Sequence, residues 1–350
     1  MNARIRFVFL APALLSLFWG LIPVFQKPPN RPNVLFIFVD DLRPDLRCYG
    51  NPVVHSPNLD QLARSATLFT RQYVTQPTCG ASRYSLLTGR LPRKPLDLQN
   101  EAIEKQLAGK PRPELPETFI DNLRRNGYHT VGIGKISHSP DGYVYGYTEP
   151  KSNQPELPHS WDELLFDAGK WGTGWNAFFG YADGSNRQSR KGQVRPYEGP
   201  AVDDDGYPDG LTANLAIAKL RALSAKNQPF FLGVGFFKPH LPFNAPKQYW
   251  DLYDESKIPL TPSPTVPAHV NPASLHGSDE FNQYALGEER ALLDKPVSDA
   301  YARKLRHVPT VELYDHQTDP NENQNMADTH PELIEQLMPV WEKGNTQLFH

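Results

Sequence analysis

Residues 33–41 read NVLFIFVDD, an apolar run rich in β-branched and aromatic side chains that stops abruptly at two carboxylates. A short continuous apolar run of strand length, closed by polar chemistry, is the pattern of a strand buried in a sheet. It recurs at 128–133 (YHTVGI), followed by Lys135 and His138, and at 229–237 (PFFLGVGFF), which leads into Lys238 and His240. Helix-periodic stretches lie between these runs, at 58–66, from Cys79 onward, at 115–126, and at 211–225, where Leu211, Leu215, Ala218 and Ala222 share a face. Strands alternating with helices predict an α/β fold whose sheet is covered on both sides. Ligands in such sheets bind beyond the carboxyl ends of the strands. Parallel strands would therefore bring Asp40, Asp41, Lys135, His138, Lys238 and His240 to one place. Any single polar end could be ordinary surface, and Asp40-Asp41 could cap a turn that Pro44 continues. Three ends carrying acids, lysines and histidines point to a site.

The rest of the composition narrows the class. The chain has 350 residues, 39% of them hydrophobic, enough for a sizeable core in one large or two ordinary domains. Proline is high at 35 residues, about twice ordinary usage, which predicts long irregular connections. Those connections fall at 141–208, rich in Gly, Trp and Tyr, and at 259–286, punctuated by proline; loops of that length commonly shape a substrate mouth. Lys+Arg 36 against Asp+Glu 39 gives a net charge of −3, without the basic footprint of a nucleic-acid binder. Two cysteines, Cys48 and Cys79, exclude a disulfide scaffold and an all-cysteine zinc site.

At the N-terminus, Arg4 and Arg6 precede an apolar run over 7–25, followed by a polar, proline-rich stretch. Residues 1–26 read as an export signal. The run approaches the about 20 residues of a spanning helix, and no Ala-x-Ala cleavage site follows, so an uncleaved membrane anchor is the alternative and a core helix a third. The folded part is expected to begin near Arg31 and to work outside the cytoplasm. Near the C-terminus, 310–314 reads as an edge strand and 331–343 as a closing helix.

Residues 77–90 hold a further constellation. Pro77 ends an extended segment, the small residues after it suit a helix start, and Gly89 suits its end. Cys79 would then sit where backbone N–H groups favour an anion, with Arg83 one turn along and able to grip a tetrahedral oxyanion. An activated cysteine and a sulfate- or phosphate-sized site both fit. So does a disulfide between Cys79 and Cys48, common in exported proteins.

The order NVLFIFVDDLRPDLRCYGN, SPNLDQLARSATLF, CGASRYSLLTGR, GKISH and FFKPHLPF resembles the sulfatases of the alkaline phosphatase superfamily, most of all the iduronate-2-sulfatase branch and its bacterial relatives. The resemblance runs over about 31–306, with a further match at 312–325, ELYDHQTDPNENQN. It implies a large mixed, mainly parallel sheet sandwiched by helices, with 27–307 as an incomplete catalytic domain and 308–350 as a reduced C-terminal piece. It also implies hydrolysis of sulfate esters of sugars or polysaccharides, as in glycosaminoglycan degradation, and no nucleotide cofactor.

Position by position, Cys79 matches the cysteine that a formylglycine-generating maturation enzyme oxidises to formylglycine, whose hydrated aldehyde attacks the sulfur. Cys79 would then be neither a free thiol nor half of a disulfide. Asp40 and Asp41, with residue 79, match ligands of a divalent cation, usually Ca²⁺. Arg83 matches the arginine that fixes the hydrate. Lys135, His138 and His240 match residues that hold sulfate oxygens, assist the hydrate or protonate the leaving alcohol, and Lys238 sits beside them.

Two departures stand out. Ala81 occupies a position where proline is usual, which bears on recognition by the maturation enzyme. The later Asp-His or Asp-Asn pair that completes the cation's ligands, and a further lysine, have no counterpart; the chain passes from DAYARKLR at 299–306 to Val308 and the C-terminal motif. Asp315-His316 lies in that motif and reads as structural. Loss of the segment would thin the cation's ligands and leave sheet strands with unpaired edges, so an impaired relic that binds sulfated glycans is the alternative to an active hydrolase. Phosphoester hydrolysis is a third reading, against which the cysteine motif argues.

Overall fold

The run at 33–39 forms the first strand of a parallel sheet in the computed structural model, which describes residues 31–190 and 194–254 with Glu280, Gln283, Tyr284, Glu332 and Glu335. The elements used below are, in chain order, β1 (Val34–Val39), α1 (Pro57–Ser65), α2 (Cys79–Thr88), α3 (Ala102–Leu107), α4 (Phe119–Arg125), β2 (His129–Gly134), β3 (Glu163–Leu165), α5 (Gly174–Phe178), β4 (Tyr197–Glu198), α6 (Pro208–Ser224), β5 (Phe230–Phe236), β6 (Phe243–Asn244) and α7 (Lys247–Trp250). The strands order as β1-β5-β2-β3, every pair parallel, with β4 and β6 in a separate parallel pair. This is the α/β fold expected. Among the described residues all four strands of its main sheet pair parallel, in keeping with the mainly parallel sheet expected.

Helices cover both faces. On one, Phe38 of β1 and Phe231 of β5 pack with Tyr84 and Leu87 of α2, Ile103 of α3 and Ile120 of α4. On the other, Val131, Ile133, Leu232 and Val234 pack against Leu215, Leu220 and Leu223 of α6. The face of α6 differs from the expected one: Leu211 and Leu215 turn inward, but Ala218 and Ala222 are exposed and Ala216, Leu220 and Leu223 take their place. Leu220 and Leu223 reach the sheet where Ala218 and Ala222 do not, because the helix turns toward β5 and β2 the face that buries more apolar surface.

β1 is a second correction, because it is buried on one face only. Leu35 and Ile37 pair in register with Leu232 and Val234, on the face that α6 covers, yet they are 47% and 54% exposed. α6 lies over β5 and β2, and β1 stands at the sheet edge beyond its reach. The expected loop region 141–208 is also more ordered than its composition indicated. It contains β3, the fourth strand, and an aromatic cluster of Tyr145, Trp171, Trp175, Phe178 and Phe179 around Phe237.

The register aligns the strand ends. Val39 lies opposite Phe236 and Gly134 opposite Gly235, so β1, β5 and β2 finish at one level. Gly134 makes this possible: its φ is +74°, and a Cβ there would lie 2.3 Å from the Gly235 carbonyl oxygen. Only glycine accepts both the left-handed turn and the close approach. The N-terminal signal or anchor, most of 259–286, and the C-terminal strand with Asp315-His316 lie outside the described residues; of the closing helix, Glu332 and Glu335 are described, both helical. No helix among the described residues is long and apolar enough to cross a membrane.

Candidate active site

The three polar strand ends meet. Asp40, next after β1, is buried, and its Oδ2 accepts from Lys135 Nζ at 2.6 Å, next after β2. Its Oδ1 accepts from Arg83 Nη2 at 2.9 Å, one turn into α2. Burial alone would raise the Asp40 carboxyl, but Lys135, then Arg83 and His240, outweigh it and hold the group well below the ordinary carboxylate range. Arg83 also bonds the backbone after β2. Its Nη1 donates to the carbonyls of Lys135 at 2.6 Å and Ile136 at 2.9 Å. The guanidinium expected to grip an incoming oxyanion also ties α2 to the end of β2.

Cys79 opens α2, and its Sγ lies 3.9 Å from Asp40 Oδ2. Gly80 sets that position: its N–H donates to Asn100 Oδ1 at 3.0 Å, and a Cβ there would fall 2.0 Å from the Asn100 carbonyl oxygen. Both cysteines are free, which removes the Cys48–Cys79 disulfide. Burial pushes the Cys79 thiol up to about 11, so at neutral pH it is protonated.

After β5 the chain turns through Lys238 and His240. Asp209, in the first turn of α6, accepts from the N–H groups of Phe237 at 2.8 Å and Lys238 at 2.9 Å and so fixes the turn. Lys238 Nζ donates to the His240 carbonyl at 3.1 Å, and burial brings its ammonium down to about 8. His240 is buried against Phe178, with ring centroids 4.5 Å apart; its Nε2 lies 3.4 Å from Glu280 Oε2 and 3.8 Å from Asp41 Oδ2. His138 packs edge-on to Trp175 at 5.5 Å. Burial, then Lys135 and Arg83, lower its imidazole to about 3, leaving it neutral at physiological pH.

Asp40, Cys79 and His240 each bring one ligand atom within 4.8 Å of the others. Asp41, in the left-handed region with φ 55° and more than half exposed, reaches His240 from the rim. His240, expected to handle protons, thus stands beside Asp40, Cys79 and Asp41. Two carboxylates beside one nitrogen and one sulfur fit a divalent cation in kind. The set is lean, because both Asp40 oxygens already receive cationic donors and Ca²⁺ takes about 6–8 oxygens.

Several site residues carried no signal in the sequence. Glu280 bridges His240 to Arg187, whose Nη1 lies 2.8 Å away and whose guanidinium stacks 3.6 Å over Phe179. Phe178 lies under both His240 and the Lys135 ammonium, 4.0 Å from the latter. Asp209 could have been suspected from its place just after Pro208 at a helix start, though that pattern suggests a cap and not a brace for another strand's end.

The Sulfatase family profile matches residues 32–310. Iduronate 2-sulfatase of Homo sapiens is 34% identical over 254 residues, covering 69% of this chain and 41% of the human protein. A sulfatase of Formosa agariphila is 31% identical over 257 residues, covering 68% of this chain and 45% of its own. Among solved structures, a phosphonate monoester hydrolase of Agrobacterium radiobacter is 26% identical with a TM-score of 0.46, covering 66% of this chain and 45% of that one. The chain spans less than half the length of these relatives.

Proposed function

The chain belongs to the sulfatase family, and we propose that it hydrolyses sulfate esters of sugars or polysaccharides, using residue 79 as nucleophile after conversion of the cysteine to formylglycine. The observation that carries this is Cys79 in the first turn of α2, 3.9 Å from the Asp40 carboxylate and within the field of Lys135 and Arg83. A thiol held near 11 is a poor nucleophile at neutral pH, whereas the hydrate of an aldehyde at the same place supplies an oxygen nucleophile. The iduronate 2-sulfatase relatives support a carbohydrate leaving group.

A divalent cation, Ca²⁺ in this reading, would be held by Asp40 and Asp41 with the side chain at 79, and would polarise the sulfate oxygens as a Lewis acid. Lys135, fixed on Asp40 and over Phe178, presents positive charge where the ester's non-bridging oxygens gain it, and Lys238 adds to that field. His138 is neutral at physiological pH, and its lone pair can accept a hydrogen bond from the attacking hydroxyl and orient it. His240, its Nε2 facing Glu280 and Asp41, is placed to return a proton to the leaving alcohol. Partners in this reading are the maturation enzyme and a sulfated carbohydrate, met after export and with the N-terminus as a membrane tether if it is not cleaved.

A second reading, a relic that binds sulfated glycans without turnover, is favoured by Asp40, whose two oxygens are already neutralised inside the protein. Co-expression with a formylglycine-generating enzyme, mass spectrometry of the Cys79 peptide, and sulfate release from para-nitrophenyl sulfate and a sulfated disaccharide separate the two. Conversion with release supports the hydrolase. An unconverted thiol without release sinks it, and calorimetric binding of the disaccharide without turnover establishes the relic. Aryl phosphate assayed in parallel tests phosphoester hydrolysis.

A further inference from the structure

Glu156 is a buried carboxylate that the chemistry above does not use. It lies between β2 and β3 on an arm that folds back on itself: Tyr143 bridges Pro155, Val144 donates to the Gln154 carbonyl at 2.8 Å, and Glu156 N–H donates to the Gly142 carbonyl at 2.9 Å. The arm delivers the carboxylate, 1% exposed, beneath the segment that follows β2. There Glu156 Oε2 accepts from the Ser139 N–H at 2.9 Å, and the hydroxyls of Ser137 and Ser139 also donate to the carboxylate. The two serines flank His138.

No cation pairs with Glu156 among the described residues; burial pushes its carboxyl up, and the Glu104 carboxylate adds to the rise. A buried carboxylate without a counter-ion is costly, and a serine or glutamine could satisfy a single N–H at lower cost. Only a carboxylate accepts from several donors at once while offering none. From this geometry we propose that Glu156 is the positioning residue for His138, its carboxylate holding the Ser139 N–H on one side and the Ser137 side chain on the other and so fixing the imidazole against Trp175. Around the imidazole, Lys135, Arg83, Asp40 and His240 supply the charged surroundings. Freed of the clamp, the imidazole would leave the edge-on contact with Trp175 that now holds it. The role given to His138 rests on the proposed hydrolysis; the clamp itself does not.

The test is NMR on the full chain with labelled histidine and tryptophan, following the cross-peak between the His138 and Trp175 rings, with kinetics on para-nitrophenyl sulfate after maturation. Glu156→Gln is expected to lose the cross-peak and to lower kcat about tenfold with KM within about twofold. Asp97→Asn is the control, since Asp97 is a buried acid that accepts from Arg93 N–H and Gln106 Nε2. It should lower Tm and leave both readouts alone. Ser137→Ala with Ser139→Ala removes the two hydroxyl donors, should weaken the cross-peak in the same direction, and carries the test if Glu156→Gln does not fold. A wild-type cross-peak in the folded Glu156 variant, or in the double serine variant when the glutamine fails to fold, overturns the clamp. Loss of the cross-peak in a chain without turnover upholds the clamp and removes the hydrolase.

Discussion

The Lys135 ammonium lies 2.6 Å from Asp40 Oδ2, with both side chains almost wholly buried and 95 residues apart in sequence. Removing one partner of such a pair leaves an uncompensated charge, at about 3–5 kcal/mol. Lys135→Met is therefore expected to cost about 3 kcal/mol or more in denaturant unfolding, and Asp40→Asn a similar amount because Lys135 and Arg83 then lose their acceptor. A double-mutant cycle should give a coupling of about 1–3 kcal/mol; additive losses would show the contact to be energetically idle. The pH sign follows from the lowered Asp40 carboxyl. Its contribution is fully present above the unfolded carboxyl value of about 3.9 and is lost as pH falls below it, a loss that Asp40→Asn should not show.

His138 gives a second acid-side signature. Its imidazole titrates near 3 in the folded chain against about 6.5 unfolded, so the unfolded chain binds the extra proton between those values. Stability from keeping it neutral is complete above about pH 6.5 and falls toward pH 3. NMR should find the His138 ring neutral from pH 5 to 8. In Lys135→Met, with the second cause of the depression gone, its pKa should rise; an unmoved value would place the depression in burial alone.

The three strand ends were legible in the sequence because each pairs a strand-length apolar run with charge, and the parallel register then puts the ends of β1, β2 and β5 at one level. What was not legible depends on which helix covers which strand. Leu35 and Ile37 alternate as core residues do, and only the position of α6 over β5 and β2 leaves them exposed. Glu156 and Asp209 accept backbone N–H groups from strand ends distant in sequence, an arrangement no local pattern encodes. The role of Arg83 was half legible: a cation one turn beyond Cys79 was evident, but its two carbonyl acceptors exist only once β2 has turned at Gly134.

The edge position of β1 makes a contrast between register partners. Val234 is 2% exposed beneath α6, and its partner Ile37 is 54% exposed. Val234→Ala removes two buried methyl groups and should cost about 1.5–2 kcal/mol, while Ile37→Ala should stay within about 0.5 kcal/mol. Ile37→Lys should also reduce concentration-dependent association, since charge on an edge strand blunts pairing with another chain. Equal losses at 37 and 234 by chemical denaturation would mean that β1 is covered.

Cys79 in the unconverted chain should behave as a buried, protonated thiol. With its pKa raised to about 11, the thiolate fraction grows about tenfold per pH unit through neutrality. Iodoacetamide labelling followed by mass spectrometry should show slow modification of Cys79 at pH 7 and a rate still climbing at pH 10. A plateau near pH 8 would indicate an activated thiol and undercut the argument for conversion.

Gly80 sets two effects of opposite sign against each other. Gly80→Ala adds helix propensity in α2, a gain of about 1 kcal/mol. The new Cβ, however, would lie 2.0 Å from the Asn100 carbonyl oxygen, a backbone atom that cannot rotate away, and the shift needed would stretch the Gly80 N–H bond to Asn100 Oδ1. Overpacking of this kind costs about 1–3 kcal/mol and the strained hydrogen bond adds to it, so the net effect should be a loss of about 1–2 kcal/mol. Because the displaced turn carries Cys79, labelling at that thiol should accelerate. Gly89→Ala at the other end of α2 is the comparison: its φ is +65° with nothing within 4 Å of the added Cβ, so it should cost left-handed strain of about 1 kcal/mol and leave Cys79 labelling unchanged. If both substitutions speed labelling alike, the strand-end site does not depend on how Asn100 seats the helix.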